Sequence, residues 1–241
     1  MQSGTYVALS GQLALQRRLE TIAYNVANTN TVGFRSEQVK FETILSRVPI
    51  DPIAFSSTGA PTVSQHPGAL IQTGNPLDVA IEGEGWLAIL TPAGQVLTRD
   101  GRMRMTEAGE LQTLSGFPVL DVGGVPIQLD PNGGSIIIAR DGTITQNNLQ
   151  VGALGLFRIP DNAILTRYDN SGFLLDRRPE PIINFVQDGV VQGYVEKANV
   201  NAVEELSQLI LVSRSFDAVT AALNETDLSL REAIRTINGS S

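Results

Sequence analysis

The chain has 241 residues, 42% apolar and 17% charged, with a formal net charge of −8 and no cysteine. That composition describes a folded protein with a sizeable core, in one large domain or two smaller ones. It weighs against a nucleic-acid or anionic-lipid partner and removes disulfides, thiolate nucleophiles and thiolate metal sites.

The N-terminal segment lacks the basic, apolar and small-residue regions of a signal peptide. Cytoplasmic residence, or export by a route without a cleaved signal, is therefore expected. Apolar runs such as "GALGLF" and "WLAIL" are too short to cross a bilayer, so no direct membrane span is expected.

In chain order, the first element is an amphipathic helix over residues 3 to 27, roughly 37 Å long. Leu15, Leu19, Ile22 and Val26 form its apolar stripe, Ala8 and Gln12 extend it backwards, and Arg17 and Arg18 lie on the other side. It runs into "NVANTNTVGFRSEQVKFE", residues 25 to 42. There Asn28 or Asn30 is expected to end the helix in a left-handed conformation, and Gly33 to let the chain reverse. Phe34 would anchor the turn and leave Arg35 for a polar contact.

Residues 46 to 73 carry Pro49, Pro52, Pro61 and Pro67 among Ser and Thr. They read as an extended or partly ordered linker. Residues 74 to 195 read as an all-β domain of short strands separated by turn pairs such as Asp100-Gly101, Asp141-Gly142 and Asp188-Gly189. Asp-Gly is the pair favoured where both turn residues need positive φ.

A second helix is expected over 202 to 237, roughly 54 Å long, capped by Asn201 with Glu204 three residues on. Ala202, Leu209, Phe216, Leu223, Leu230 and Ile237 recur every seven residues. The companion column is Leu206, Ser213, Thr220, Asp227 and Ile234, polar in its middle, where the seam swings to Val212 and Val219. A simple two-stranded zipper keeps one seam, so different neighbours are expected along this helix. One wide stripe facing an ordinary core is the plainer alternative. The four segments are thus 1–45, 46–73, 74–195 and 196–241. The fold class is α+β, with the two terminal helices packed as a coiled-coil-like stalk and the all-β domain inserted between them.

Catalytic chemistry is poorly supported. Gly83, Gly85 and Ala88 match a dinucleotide fingerprint, but a strand-like "WLAIL" follows where the pyrophosphate needs a helix N-terminus. Glu82 and Glu84 sit beside turn glycines, and the single histidine, His66, lies in the Pro-rich stretch. No nucleophile, base and oxyanion hole assemble, and no metal-ligand spacing appears. The expectation is no enzyme, no catalytic or metal residue and no cofactor.

The ends and the middle carry a resemblance. "NVANTNTVGFR" and "ANVNAVEELSQLILVSRSFDAV" resemble the terminal signatures of bacterial flagellar axial proteins. "TGNPLDVAIEGEGWLAI" and "LTRDGRMRMTEAGELQTLSGFPVL" are similar to the core signature of their rod and hook members. Tyr24 stands where rod proteins usually have a further Asn, and Ala202 where they often have Pro. Length and a compact middle favour a proximal-rod member over a distal-rod or hook subunit; a free β-rich binding module or a hydrolase is the rival of another class.

The resemblance implies a structural rod subunit that transmits torque from motor to hook in the periplasmic part of the flagellar basal body. Its partners would be other rod proteins, copies of itself and the flagellar type III export apparatus. It implies an assembly interface through Leu15, Leu19, Ile22, Val26, Leu206, Leu209, Phe216, Leu223, Leu230 and Ile234, with Ser213, Thr220 and Asp227 setting register between subunits. The turn residues Asn25, Asn28, Asn30, Gly33, Phe34, Asn199 and Asn201 would then be hydrogen-bonding joints.

Overall fold

The structure, a computed structural model, describes residues 2–45, 54–57 and 59–238. It is α+β: a helix, a β-rich middle and a second helix. Two compact units divide the chain. One comprises Met1–Ala27, Glu37–Ser64 and Asn201–Ser241; the other comprises Asn28–Ser36 and Gln65–Val200.

The helical unit holds α1 (Gln2–Ala27) and α2 (Ala202–Asn238). Asn201 caps α2, its Oδ1 accepting from the backbone N–H of Val203 at 3.2 Å and Glu204 at 3.4 Å. Glu204 and Glu205 in the first turn and Arg235 in the last oppose the helix dipole. Two hydrogen bonds fix the pairing. Gln12 Nε2 donates to Thr220 Oγ1 at 3.0 Å, and Asn25 Nδ2 to Glu205 Oε1 at 3.2 Å. As α1 advances from 12 to 25, α2 retreats from 220 to 205, so the helices are antiparallel.

Four short strands complete this unit: β1 (Glu37–Lys40), β2 (Thr43–Leu45), β3 (Ala54–Ser56) and β4 (Ala60–Val63). β1 pairs with β4 and β2 with β3, both antiparallel. The stretch read as linker therefore carries strands in its described part, although Pro and Ser hide any period. Residues 46–53 and 58 of that stretch, with Pro49 and Pro52, lie outside the described residues.

The β-rich unit holds β5 (Leu70–Gln72), β6 (Val79–Glu82), β7 (Trp86–Thr91), β8 (Gly94–Thr98), β9 (Met103–Met105) and β10 (Leu111–Thr113). After these come β11 (Ile136–Ile138), β12 (Thr143–Gln146), β13 (Leu149–Ala153), β14 (Leu156–Arg158), β15 (Leu165–Tyr168) and β16 (Gly172–Leu175). The last are β17 (Glu180–Pro181), β18 (Gly189–Gln192) and β19 (Tyr194–Glu196). A six-stranded sheet runs in the order β15-β16-β8-β7-β14-β17. Smaller pairings surround it, including β6 with β18 and β5 with β19.

β7 lies between β8 and β14 and is buried on both faces at Trp86, Leu87, Ala88 and Ile89, which is why "WLAIL" shows no alternation. The core is built on Ile81, Leu87, Val96, Leu111, Ile144 and Leu156, all within 1% of complete burial. The Asp-Gly turns do not have the expected geometry: among described residues, the non-glycine residues with positive φ are Asn147, Asn148, Asn162 and Asp169. The two-residue turn with both φ positive, between β12 and β13, is Asn147-Asn148. Gly101 and Gly189 are there for closeness instead. A Cβ on Gly101 would lie 1.9 Å from the Val79 carbonyl oxygen, and one on Gly189 2.7 Å from Arg140 Cγ.

Candidate functional site: the helix pair and the buried turn cluster

In the helical unit, α1 buries Ala14, Ile22 and Asn25, and α2 buries Val212. Leu15, Leu19 and Val26 are half-buried, as are Leu209, Phe216 and Leu223. Leu206 is exposed. The side chains of Asp227, Leu230, Ile234 and Ile237 lie outside the described residues. The polar column is used within the chain: Thr220 accepts from Gln12 and its own hydroxyl donates to the Phe216 carbonyl at 2.8 Å. Thr220 therefore helps set the register of α2 on its own α1.

Asn25 is only 2% exposed and bridges three groups. Its Nδ2 donates to Glu205 and to the Glu37 carbonyl at 2.9 Å, and its Oδ1 accepts from the Glu37 N–H at 2.9 Å. Burial pushes the Glu205 carboxyl above its ordinary range, with repulsion from Glu204 added and the Asn25 contact opposing.

Several turns away along the same helix pair, a groove of about 1010 Å³ is lined by α1 at Ala8, Gly11 and Ala14 and by α2 at Val219, Ala222 and Leu223. Much of the apolar surface of the pair stays uncovered: Leu9, Leu13, Val203, Leu206, Ile210 and Leu211 are all exposed. By length and composition alone Ala202–Thr226 would pass as a membrane span, and 6% of its most apolar window is buried. That window contains Arg214 and Asp217.

In the β-rich unit, the turn after the first helix does not rely on left-handed asparagines; neither Asn28 nor Asn30 has positive φ. The buried Asn28 closes the turn through its carbonyl, which accepts from the Thr31 N–H at 3.0 Å, and its Oδ1, which accepts from the Thr31 hydroxyl at 3.0 Å. Asn30 is exposed. Gly33, with φ +70, makes the reversal, and a Cβ there would lie 2.3 Å from the Asp100 backbone nitrogen. Phe34 is completely buried. Asn199 links two segments, its Oδ1 accepting from the Ser36 N–H at 2.7 Å and its Nδ2 donating to the His66 carbonyl at 2.8 Å.

Arg35 is buried rather than left at the surface. Its Nη2 lies 2.8 Å from Glu196 Oε1, while Arg99 Nη1 donates to Glu196 Oε2 at 3.1 Å. All three side chains are 1–2% exposed. Both guanidinium groups face the ring of Trp86, at 5.7 Å from Arg35 and 5.1 Å from Arg99. Arg35 Nε and Nη2 and Arg99 Nε have no aligned hydrogen-bond acceptor, so the electron-rich ring face supplies part of the compensation. Burial, with the Arg99 charge adding to it and Glu196 opposing, lowers the Arg35 pKa to about 10. Burial also lowers that of Arg99, against the attraction of Glu196. Sequence reasoning missed Arg99, Glu196 and Trp86 as one cluster; the signal was a charge placed inside each of two strand-like runs, "VLTRD" and "GYVEK".

The features weighed for catalysis resolve into structure. A strand, β7, follows Gly83 and Gly85. Glu82 pairs with Arg140 at 3.4 Å, and Glu84, 82% exposed, with Arg158 at 3.7 Å.

Comparison with known proteins then identifies the lineage. The model of the flagella basal body rod protein family matches residues 6–35, that of the flagellar hook protein FlgE/F/G D1 domain 80–146, and that of the flagellar basal body rod FlgEFG protein C-terminal region 191–236. The flagellar basal-body rod protein FlgF of Rhizobium meliloti (strain 1021) is 48% identical over 240 residues, covering 100% of both chains. The chain belongs to the FlgF family of flagellar basal-body rod proteins. The FlgF of Mesorhizobium japonicum is also 48% identical, again over 100% of both chains, and the FlgG of Bacillus subtilis is 28% identical over 97% of this chain and 98% of its own. Members of this family are structural and non-enzymatic, and the chain is a structural subunit of the flagellar basal body.

Proposed function

We propose that the chain is a proximal-rod subunit that assembles helically through its two terminal helices and carries torque from motor to hook across the periplasm. The observation that carries this is the uncovered apolar surface of the helix pair, with Leu9, Leu13, Val203, Leu206, Ile210 and Leu211 exposed. A lone chain leaves these in water; burying one such side chain stabilises an assembly by roughly 1.5–3 kcal/mol. Arg214 and Asp217 in the apolar stretch of α2 favour a protein neighbour over lipid, where a centred charge is costly.

Copies of this chain and other rod proteins are the partners, and they would meet along a coiled-coil-like stalk made by Leu15, Leu19, Ile22, Val26, Leu206, Leu209, Phe216, Leu223, Leu230 and Ile234. The domain reading that goes with it is a helical assembly unit and a β-rich unit. Delivery through the flagellar type III apparatus would suit a chain with no disulfide to form.

The test uses the absence of native cysteine. Leu13→Cys is combined with Val203→Cys, Leu206→Cys or Ile210→Cys, one pair at a time, and basal bodies are purified and oxidised. Crosslinked oligomers in the rod fraction are expected from at least one pair. A chain missing from that fraction, or one that crosslinks in no pairing, would overturn the reading.

A further inference from the structure

The Arg35–Glu196–Arg99 cluster gains a role from where its members stand along the chain. The β-rich unit is assembled from two pieces, Asn28–Ser36 and Gln65–Val200, so the chain enters or leaves it at four places. Three segments within the unit carry those crossings: 31–36, 65–69 and 195–199. None of the three belongs to the six-stranded sheet. The third continues β19, which pairs with β5, and its Lys197 N–H donates to the Ala69 carbonyl at 2.9 Å. The first has no strand partner among the described residues, and side chains of two buried ions and one amide add the remaining ties.

Glu196 is the hub. Its Oε1 accepts from the Gly68 N–H at 2.8 Å, its Oε2 from Arg99, and its main-chain carbonyl from the Gly33 N–H at 2.8 Å. Arg35 Nη1 donates to the Gln65 carbonyl at 3.0 Å and to that of His66. Asn199 closes the triangle, its N–H donating to the Phe34 carbonyl at 3.3 Å and its side chain reaching Ser36 and His66. Two guanidinium cations thus share one carboxylate in a nearly dry site.

We infer that Arg35, Glu196 and Arg99 form a latch that fastens together the three segments through which the chain passes into and out of the β-rich unit, and that the latch opens as a local step separate from unfolding of the sheet. The physical reason is the charge balance. With Glu196 neutralised, the two buried cations over Trp86 lose the carboxylate they share; Asp188 and Glu84 still attract Arg99, so the least costly relief is to let Arg35 reach water. Arg35 sits on the short piece 28–36, which has no ladder to hold it, whereas Arg99 directly follows β8 and donates to the carbonyls of Ile81 at 3.3 Å and Gly83 at 2.7 Å. Opening therefore releases 31–36 and 65–69 while β7 and β8 stay paired.

Hydrogen exchange on the full chain tests this, because each segment contributes hydrogen-bonded amides: Gly33, Phe34 and Ser36; Gly68; Lys197 and Asn199. In Glu196→Gln these amides are expected to exchange on the order of a hundredfold faster, while those of Leu87–Thr98 keep their protection. Trp86, the single tryptophan, should change its emission in the same variant. Arg177→Ala, an exposed charge remote from the cluster in sequence, serves as the control and should leave both readouts unchanged. Equal loss of protection in latch and sheet, or no change in the latch, would overturn the proposal. If Glu196→Gln does not fold, Arg35→Lys decides. It keeps the charge but loses the fork that reaches Gln65 and His66, and it must speed Gly68 and its neighbours selectively; a uniform effect or none refutes the latch. These readouts use the unassembled chain, so their failure would leave the rod assignment standing.

Discussion

The β-rich unit and the helical unit treat apolar surface in opposite ways. The first closes a core on itself, with Ile81, Leu87, Val96, Leu111, Ile144 and Leu156 all but inaccessible to water. The second, with two helices of 26 and 37 residues, fully buries Ala14, Ile22 and Val212 among its described apolar side chains and leaves Leu211 63% exposed. A closed core specifies a fold that needs no neighbour. An open helix pair leaves apolar surface of the kind that marks an interaction site.

The sharpest way to break this contrast is to cut into both cores. Leu111→Ala in the β-rich unit should cost about 3 kcal/mol in urea unfolding followed by Trp86 fluorescence, since the strand cannot collapse around the cavity. Val212→Ala in the helical unit removes less volume from a thinner core and should cost about 1 kcal/mol, read by helical circular dichroism. Equal costs would mean the two units share one cooperative core.

An exposed position sharpens it further. Leu211→Ser should change monomer stability by no more than about 0.5 kcal/mol, yet reduce incorporation into purified basal bodies. A variant that assembles normally would remove Leu211 from the interface.

The smallest effect expected is electrostatic and confined to Glu205. Its carboxyl is held above the ordinary range, so the folded form favours the proton more than the unfolded chain does. Stability from this group is therefore greatest at low pH. It declines as pH rises from the ordinary carboxylate range through the raised value and is flat above it. Glu205→Gln keeps an acceptor for Asn25 and should abolish that decline, leaving the helical unit slightly more stable at neutral pH by thermal melts. A steeper pH dependence in the variant would contradict the burial argument.

Much of this contrast was legible in sequence. Both helices ended within a residue of expectation because their signals are local: an unbroken 3.6-residue pattern, Asn201 as a cap and Gly33 as the reversal. In the β-rich unit, runs such as "WLAIL", "SIIIA" and "VVQGYVE" announced β7, β11, β18 and β19 through β-branched and aromatic residues, whereas β9, β10, β15 and β16 carried no run that marked them. β3, β4 and β5 carried none either, because a strand that pairs through its backbone tolerates the Pro, Ser and Gly that erase a side-chain pattern. The Asp-Gly turns misled for a related reason. Gly101 and Gly189 are required by neighbours distant in sequence, Val79 and Arg140, and no dipeptide rule contains them.

The sequence by itself determined two long helices around a β-rich middle, the family to which those motifs belong and the absence of thiol chemistry, because each follows from residue type and short spacing. Only the tertiary structure decided that Arg35 is buried, that it shares Glu196 with Arg99 over Trp86, and that Thr220 spends its hydroxyl on its own chain. Burial and charge pairing depend on which distant segments meet, and the meeting of residues 35, 99 and 196 is a property of the closed fold.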